Sequence, residues 1–145
     1  MSTTPPAVPR LPDWPSRLQR LMQARRGVPF AWGANDCFLF AADCADACTG
    51  VDPAEDLRGT YATEREALRT LQALGVDLAG LAAASFGAEI APAFAQRGDV
   101  GLTEQAGRAL LCVCAAGRWV APAEHGLAEA PPPHRAWRVA PCRPC

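Results

Sequence analysis

The stretch VPFAWGANDCFLFAADCADAC, from Val28 to Cys48, decides how the rest of the chain is interpreted. A loop with a Trp-Gly turn leads into an Asn-Asp pair, and an apolar run follows at once. The run predicts a helix from about Cys37 to Thr49. Cys37, Cys44 and Cys48 then share one helix face. From this segment alone, Cys37 is a nucleophile, a metal ligand or a buried residue.

Cys37 has the position of a nucleophile, because it begins a predicted helix. Free backbone N–H groups and the positive end of the helix dipole lower the pKa of a thiol placed there. The same N–H groups could hold an oxyanion. Asp36 is ambiguous, since it can cap the helix while its charge disfavours a thiolate. A buried cysteine at a helix start is also common, so packing is the alternative to catalysis.

The remaining pattern is helical first and extended second, which predicts the α+β class with a small antiparallel sheet. Further helices are predicted over 14–26, capped by Asp13, over 63–74, and over 78–86. Strands are predicted over 99–103, 108–115, 118–122 and 135–139. In the third helix, Thr63 and Glu66 form a capping box, and Leu68, Leu71 and Leu74 are expected to face inward.

Composition and charge narrow the class of protein. The chain has 145 residues, which suits one domain over 13–140 with a proline-rich arm at 1–12 and a Cys/Pro tail at 141–145. The net charge is -1, and no basic patch indicates direct binding to nucleic acid. No apolar stretch is long enough for a membrane span, and no signal peptide is recognised, so synthesis in a cytoplasm is expected.

Four of the seven cysteines leave a metal site open as an alternative. Cys44 and Cys48 lie at i and i+4 on a helix, and Cys142 and Cys145 have the spacing of a zinc or iron–sulfur half-site. Neither a histidine nor a further CxxC pair supports them. No cofactor is expected, and a zinc or iron–sulfur site formed by these four thiolates is the alternative.

Two motifs resemble a known family. Phe30 to Gly33, then Asp36-Cys37 and an apolar helix, resemble the nucleophile segment of the NlpC-type cell-wall cysteine peptidases, a compact branch of the papain-like fold. Arg97 to Val100 resembles the Gly-Asp step that opens the first core strand of that family. The resemblance implies that Cys37 occupies the nucleophile position of a compact NlpC-like domain.

The chain departs from that family at the catalytic base. The resemblance places the base at Ala109 and its orienting partner near Ala121, and neither residue carries a polar side chain. A thiol without a base has nothing to take its proton or to protonate the leaving amine. His125 and His134 are the two histidines of the chain and therefore the candidates for an unconventional base.

A more particular resemblance uses four ordered motifs. Trp-Gly-x-x-Asp-Cys, Leu57 to Tyr61, Arg97 to Val100 and Arg135 to Val139 resemble small NlpC-like proteins of the tail-gene clusters of long-tailed phages, prophages and gene transfer agents. The resemblance implies a tail-tip protein that contacts the hub, the distal tail and the tape-measure end.

Three functions follow from these resemblances and from the cysteines. The leading expectation is a structural tail-tip protein with an inactive NlpC-like fold. The first alternative is an active peptidoglycan endopeptidase that assists DNA entry. The second is a metal-binding tail assembly factor.

Overall fold

A computed structural model describes residues 9–140, which form four helices followed by an antiparallel sheet. The helices are α1 (Trp14–Arg25), α2 (Cys37–Thr49), α3 (Glu64–Leu74) and α4 (Leu78–Phe86). The strands are β1 (Glu89–Ile90), β2 (Val100–Gln105), β3 (Arg108–Ala115), β4 (Arg118–Ala123), β5 (Gly126–Glu129) and β6 (Arg135–Trp137). A short 3-10 helix, Pro92–Phe94, separates β1 from β2. The sheet order is β1-β6-β2-β3-β4-β5 with every pairing antiparallel, which confirms the α+β class.

Helix α2 lies at the centre of the domain. It is apolar on nearly every side, and it packs against α1, α4, β3 and β4. A helix that is apolar all round is stable only where neighbours cover it. Phe38, Leu39 and Phe40 at its start are buried in the main core. The residue that begins this helix, Cys37, is therefore held against the sheet by packing along the whole element.

The two faces of the sheet have different surroundings. Side chains alternate along a strand, so Leu111 and Val113 of β3 enter the main core beside α2. Cys112, between them, joins a small second cluster with Ala121 and Ala130 on the other face. The helices thus cover one face.

Most of the predicted elements are confirmed. The predicted bounds of α2, α4 and β3 match the structure, and α1 ends one residue earlier than predicted. Strands β1 and β5 were not predicted, because β1 has two residues and β5, with the sequence Gly-Leu-Ala-Glu, carries no β-branched run. Asp13 is at the N-cap of α1, but its side chain makes no capping hydrogen bond.

The predicted inward face of α3 is wrong in part. Leu68 is 55% exposed and Leu74 is 50% exposed, while Leu71 is half-buried. Only half of the predicted capping box forms: Thr63 accepts the Glu66 N–H, but the Glu66 carboxylate accepts the Ala62 N–H, one residue before the N-cap. Local signals therefore place the helix, but its apolar side borders an open cleft.

The two ends of the described chain meet at one place. The Arg10 guanidinium donates to the Asp99 carboxylate and to the carbonyls of Arg97 and Val139. The Leu11 N–H donates to the Cys48 carbonyl. Arg10 and Leu11, which the sequence analysis assigned to the N-terminal arm, thus contact the domain. Within residues 9–140, no helix has the length and apolarity required to cross a membrane.

Candidate functional site

The start of α2 is organised by the Asp36 carboxylate. Asp36 is 2% exposed and accepts three hydrogen bonds, from the Leu39 N–H (2.9 Å), the Gly33 N–H (3.0 Å) and the Tyr61 hydroxyl (2.6 Å). The first caps the helix in the usual way, and the other two fix the preceding loop and a distant turn. Asp36, which the sequence analysis named as a candidate site residue, therefore has a structural role here.

Two of the sequence motifs meet at this carboxylate. Tyr61 closes the Leu57 to Tyr61 motif, and its hydroxyl reaches Asp36 of the nucleophile-like segment. Burial raises the pKa of Tyr61, and the hydrogen bond to Asp36 raises it further. Gly33 has φ +77° and lies against the Tyr61 backbone, where any Cβ would overlap the Tyr61 carbonyl oxygen. A glycine is required there for conformation and for space.

Asn35 is a structural residue that the sequence analysis did not single out. It is 4% exposed, and its amide donates to the carbonyls of Val28 and Pro29. Its oxygen accepts from Arg25, whose guanidinium also pairs with Asp43 of α2. An Asn before an Asp-capped helix is the signal that was available. The loop before Cys37 is thus fixed from both sides.

Cys37 is partly exposed and lines a cleft of about 610 Å³. The pKa of its thiol is raised to about 11, mainly because burial desolvates the thiolate, with the Asp36 charge adding to the effect. The backbone N–H of Leu111 favours the thiolate, but it does not outweigh burial. The predicted lowering of this pKa by the helix N-terminus is therefore wrong in its net direction.

The cleft lies between α3 and the body of the domain. Its walls come from the start of α2, from α3, from the start of α4 and from the first residues of β3. Arg108 of β3 and Glu64 of α3 form an ion pair that joins its two sides. The apolar residues of α3 that border it are Ala67, Leu68 and Leu71. Chemically, the cleft offers mainly apolar walls, one neutral thiol and the charged side chains of Glu64, Asp77 and Arg108.

The two alanines that the resemblance assigned to catalysis are separated by the sheet. Ala109 lines the same cleft as Cys37, which agrees with the position implied for a base. Ala121 packs on the opposite face with Cys112 and Ala130. Ala121 itself is therefore not placed to orient a base at position 109, since its side chain packs on the face away from the cleft.

Neither predicted histidine reaches Cys37. His125 is exposed in the turn between β4 and β5. His134 is exposed just before β6, where its backbone N–H donates to the Leu102 carbonyl. Among residues 9–140, no histidine lines the cleft. The structure brings Cys37, Asp36 and Ala109 together and leaves both imidazoles outside.

The other cysteines are packing residues where the structure describes them. Cys44 and Cys48 are fully buried, and burial raises the pKa of each thiol. No group of three potential metal ligands occurs within residues 9–140. Cys142 and Cys145 lie outside the described residues, so the predicted four-thiolate set stays a prediction.

The fold and site define a class: an α+β domain in which a buried helix presents a thiol from its first residue to a cleft beside an antiparallel sheet. A family model for a domain of unknown function, DUF6950, matches residues 9–139, and the chain belongs to this family. Comparison with curated proteins and with solved structures gave no match.

Proposed function

We propose that the protein is a structural component of the distal tail, at the tail tip or hub region of a long-tailed phage or phage-like particle, built on an NlpC-like peptidase fold without its activity. One observation carries the inactive part of this proposal: Cys37 shares its cleft with Ala109, and no histidine of the described chain lines that cleft. Nucleophilic catalysis by a thiol needs a base within hydrogen-bond reach.

The electrostatics of the thiol support the same conclusion. A pKa of about 11 leaves roughly one Cys37 thiol in a thousand ionised at pH 8. Active cysteine peptidases work with a thiol pKa lowered by a neighbouring imidazolium. Here the neighbouring Asp36 carries a negative charge, which raises the pKa of the thiol instead. The Asp36 carboxylate already accepts three structural hydrogen bonds.

The family-like motifs have structural duties, which supports their retention without chemistry. The Trp-Gly turn, Asp36 and Tyr61 form one hydrogen-bonded unit. Asp99, of the Gly-Asp step, binds Arg10 and the Val139 N–H. The order of these motifs supports the assignment to tail-tip proteins, whose partners would be the hub, the distal tail and the tape-measure end.

Genetic complementation in a particle-producing cell tests this function. Removing the gene should give particles with defective tails, and the wild-type chain and Cys37→Ala should restore tails and DNA delivery equally. Gly33→Val is the negative control: it disrupts the loop before the same helix and should not restore tails. Particles that assemble with Cys37→Ala but no longer deliver DNA would contradict the inactive fold and favour the peptidase.

The active endopeptidase is the second candidate, because Cys37 lines an open cleft and the backbone N–H of Leu111 favours its thiolate. Cleavage of peptidoglycan stem peptides by the purified protein, abolished by Cys37→Ala, would establish it. A base would then have to come from a partner in the assembled tail.

Restoring an imidazole tests the degenerate site directly. Ala109→His places a potential base in the cleft of Cys37 and should raise the rate of Cys37 alkylation by iodoacetamide at pH 8 about tenfold or more. Ala128→His, on the exposed part of β5, is the control and should leave the rate unchanged. An unchanged rate in Ala109→His would remove the argument that position 109 is a vacated base position.

A further inference from the structure

The arginines of the described chain divide into two groups. Seven of them are tied by ion pairs or hydrogen bonds to described residues: Arg10, Arg17, Arg25, Arg58, Arg108, Arg135 and Arg138. The other six guanidinium groups make no such contact within residues 9–140: Arg20, Arg26, Arg65, Arg69, Arg97 and Arg118. Three of these six line a single surface depression, on the side of the molecule formed by α1, β4 and β5.

The depression combines a cationic rim with an apolar floor. Its volume is about 410 Å³, and its three arginines are Arg26, Arg97 and Arg118. They come from the end of α1, from the segment before β2 and from the start of β4, so the fold gathers charges that are distant in sequence. The half-buried Met22 and Leu127 also line the depression and supply its accessible apolar surface, here called the floor.

This combination selects one chemistry. A guanidinium binds a carboxylate through two parallel hydrogen bonds. The apolar floor gains only from apolar side chains. A nucleic acid backbone would use the arginines and leave the floor empty.

We propose that this depression is a docking site for a peptide segment of a partner protein that carries both acidic and apolar side chains. The inference does not depend on whether Cys37 is catalytic, because the depression and the Cys37 cleft share no lining residue.

Glu129 should affect the affinity for an acidic peptide in the direction opposite to the arginines. It also lines the depression, and it forms no ion pair with the three arginines among the described residues. Its charge therefore repels an acidic ligand. Removing that charge should tighten binding, whereas removing the arginine charges should weaken it.

Fluorescence anisotropy with a labelled peptide of alternating Glu and Leu measures the affinity. We expect Arg26→Gln/Arg118→Gln to weaken binding about tenfold and Glu129→Gln to tighten it. Both arginines are exposed, so the fold should survive. The matched control is Arg65→Gln/Arg69→Gln, which removes the same charge from exposed positions on α3 and should change the affinity less than twofold.

Three further probes complete the experiment: an alternating Glu-Gly peptide, an alternating Gln-Leu peptide and an oligothymidylate. The proposal requires the Glu-Leu peptide to bind more tightly than each of them. Equal binding of the Glu-Gly peptide would show that the floor is not used, and tighter binding of the oligothymidylate would indicate a nucleic acid site. Equal losses in the two double variants, or no binding of the Glu-Leu peptide, would also overturn it.

Discussion

A buried aspartate lies near each end of helix α2, but the two carboxylates are stabilised differently. Asp36, at the first turn, accepts from two backbone N–H groups and a tyrosine hydroxyl, all neutral donors. Asp99 is 0% exposed and lies beside the last turn, where Gly98 contacts Cys48. It binds the Arg10 guanidinium at 2.8 Å and the backbone N–H groups of Gln96 and Val139.

The two aspartates therefore join different parts of the chain. Asp36 joins segments that are 25 residues apart and leaves the adjacent thiol facing a cleft. Asp99 brings together residues at the start and the end of the described chain. Both aspartates belong to motifs on which the resemblance to the NlpC-type peptidases rests, Asp36 to the nucleophile segment and Asp99 to the Gly-Asp step. Both carboxylates accept structural hydrogen bonds, and the Cys37 thiol lines the cleft beside Asp36.

The largest loss of stability is expected in the loop at the Asp36 end of α2. Gly33→Ala places a Cβ into the Tyr61 carbonyl in a left-handed backbone, and we expect loss of the cooperative unfolding transition in urea. Gly59→Ala is the control, because Gly59 has φ +76° with open space around it. Strain alone should cost it about 1–3 kcal/mol. Equal losses in the two variants would show that the Gly33 contact is not required.

The free energy of unfolding should depend more on the carboxylate charge of Asp99, which pairs with Arg10, than on that of Asp36, whose donors are neutral. Asp99→Asn leaves the largely buried Arg10 without its counter-charge and should lower the free energy of unfolding by about 3–5 kcal/mol. Urea unfolding followed by circular dichroism measures this. Glu89→Gln, which removes the exposed partner of Arg135, should leave the unfolding midpoint unchanged.

Asp36→Asn should cost less than Asp99→Asn, because its partners are neutral and the amide oxygen still accepts. One donor then meets the new NH₂ group, which gives a loss of about 1–3 kcal/mol. Tyr61→Phe removes a single donor to Asp36 and should cost about 1 kcal/mol. If Asp36→Asn proves more destabilising than Asp99→Asn, the proposed contrast between the two ends is reversed.

The smallest change in stability is expected for the thiol at the Asp36 end of α2. Cys37→Ala should cost about 1 kcal/mol. The thiol itself should react slowly: a pKa of about 11 in place of 9.0 predicts alkylation roughly 100-fold slower at pH 8 than for an ordinary cysteine. The rate should rise with pH until about pH 11, because the raised pKa keeps the thiol protonated below that value. Mass spectrometry of iodoacetamide-treated protein gives the rate, and a plateau near pH 7 would contradict the burial argument.

Much of the fold could be predicted because its signals are local. Asp36 as a cap and an apolar run set the start and course of α2. The run rich in Leu, Val and Cys over Arg108–Ala115 predicted β3. The short β1 and β5 carried no such signal. The inward face of α3 could not be predicted from its periodicity, since periodicity gives an apolar side and does not say what covers it.

The candidate site was predictable in its residues and not in its chemistry. The sequence by itself determined that Cys37 begins a buried helix after a capping aspartate, since both features lie within a few residues. Only the tertiary structure decided that the Tyr61 hydroxyl donates a hydrogen bond to Asp36 and that burial raises the pKa of the Cys37 thiol. It also decided that Ala109 lines the cleft of Cys37 while Ala121 lies on the other face of the sheet. Those outcomes depend on contacts between distant segments, and desolvation by such contacts is stronger here than the local helix dipole.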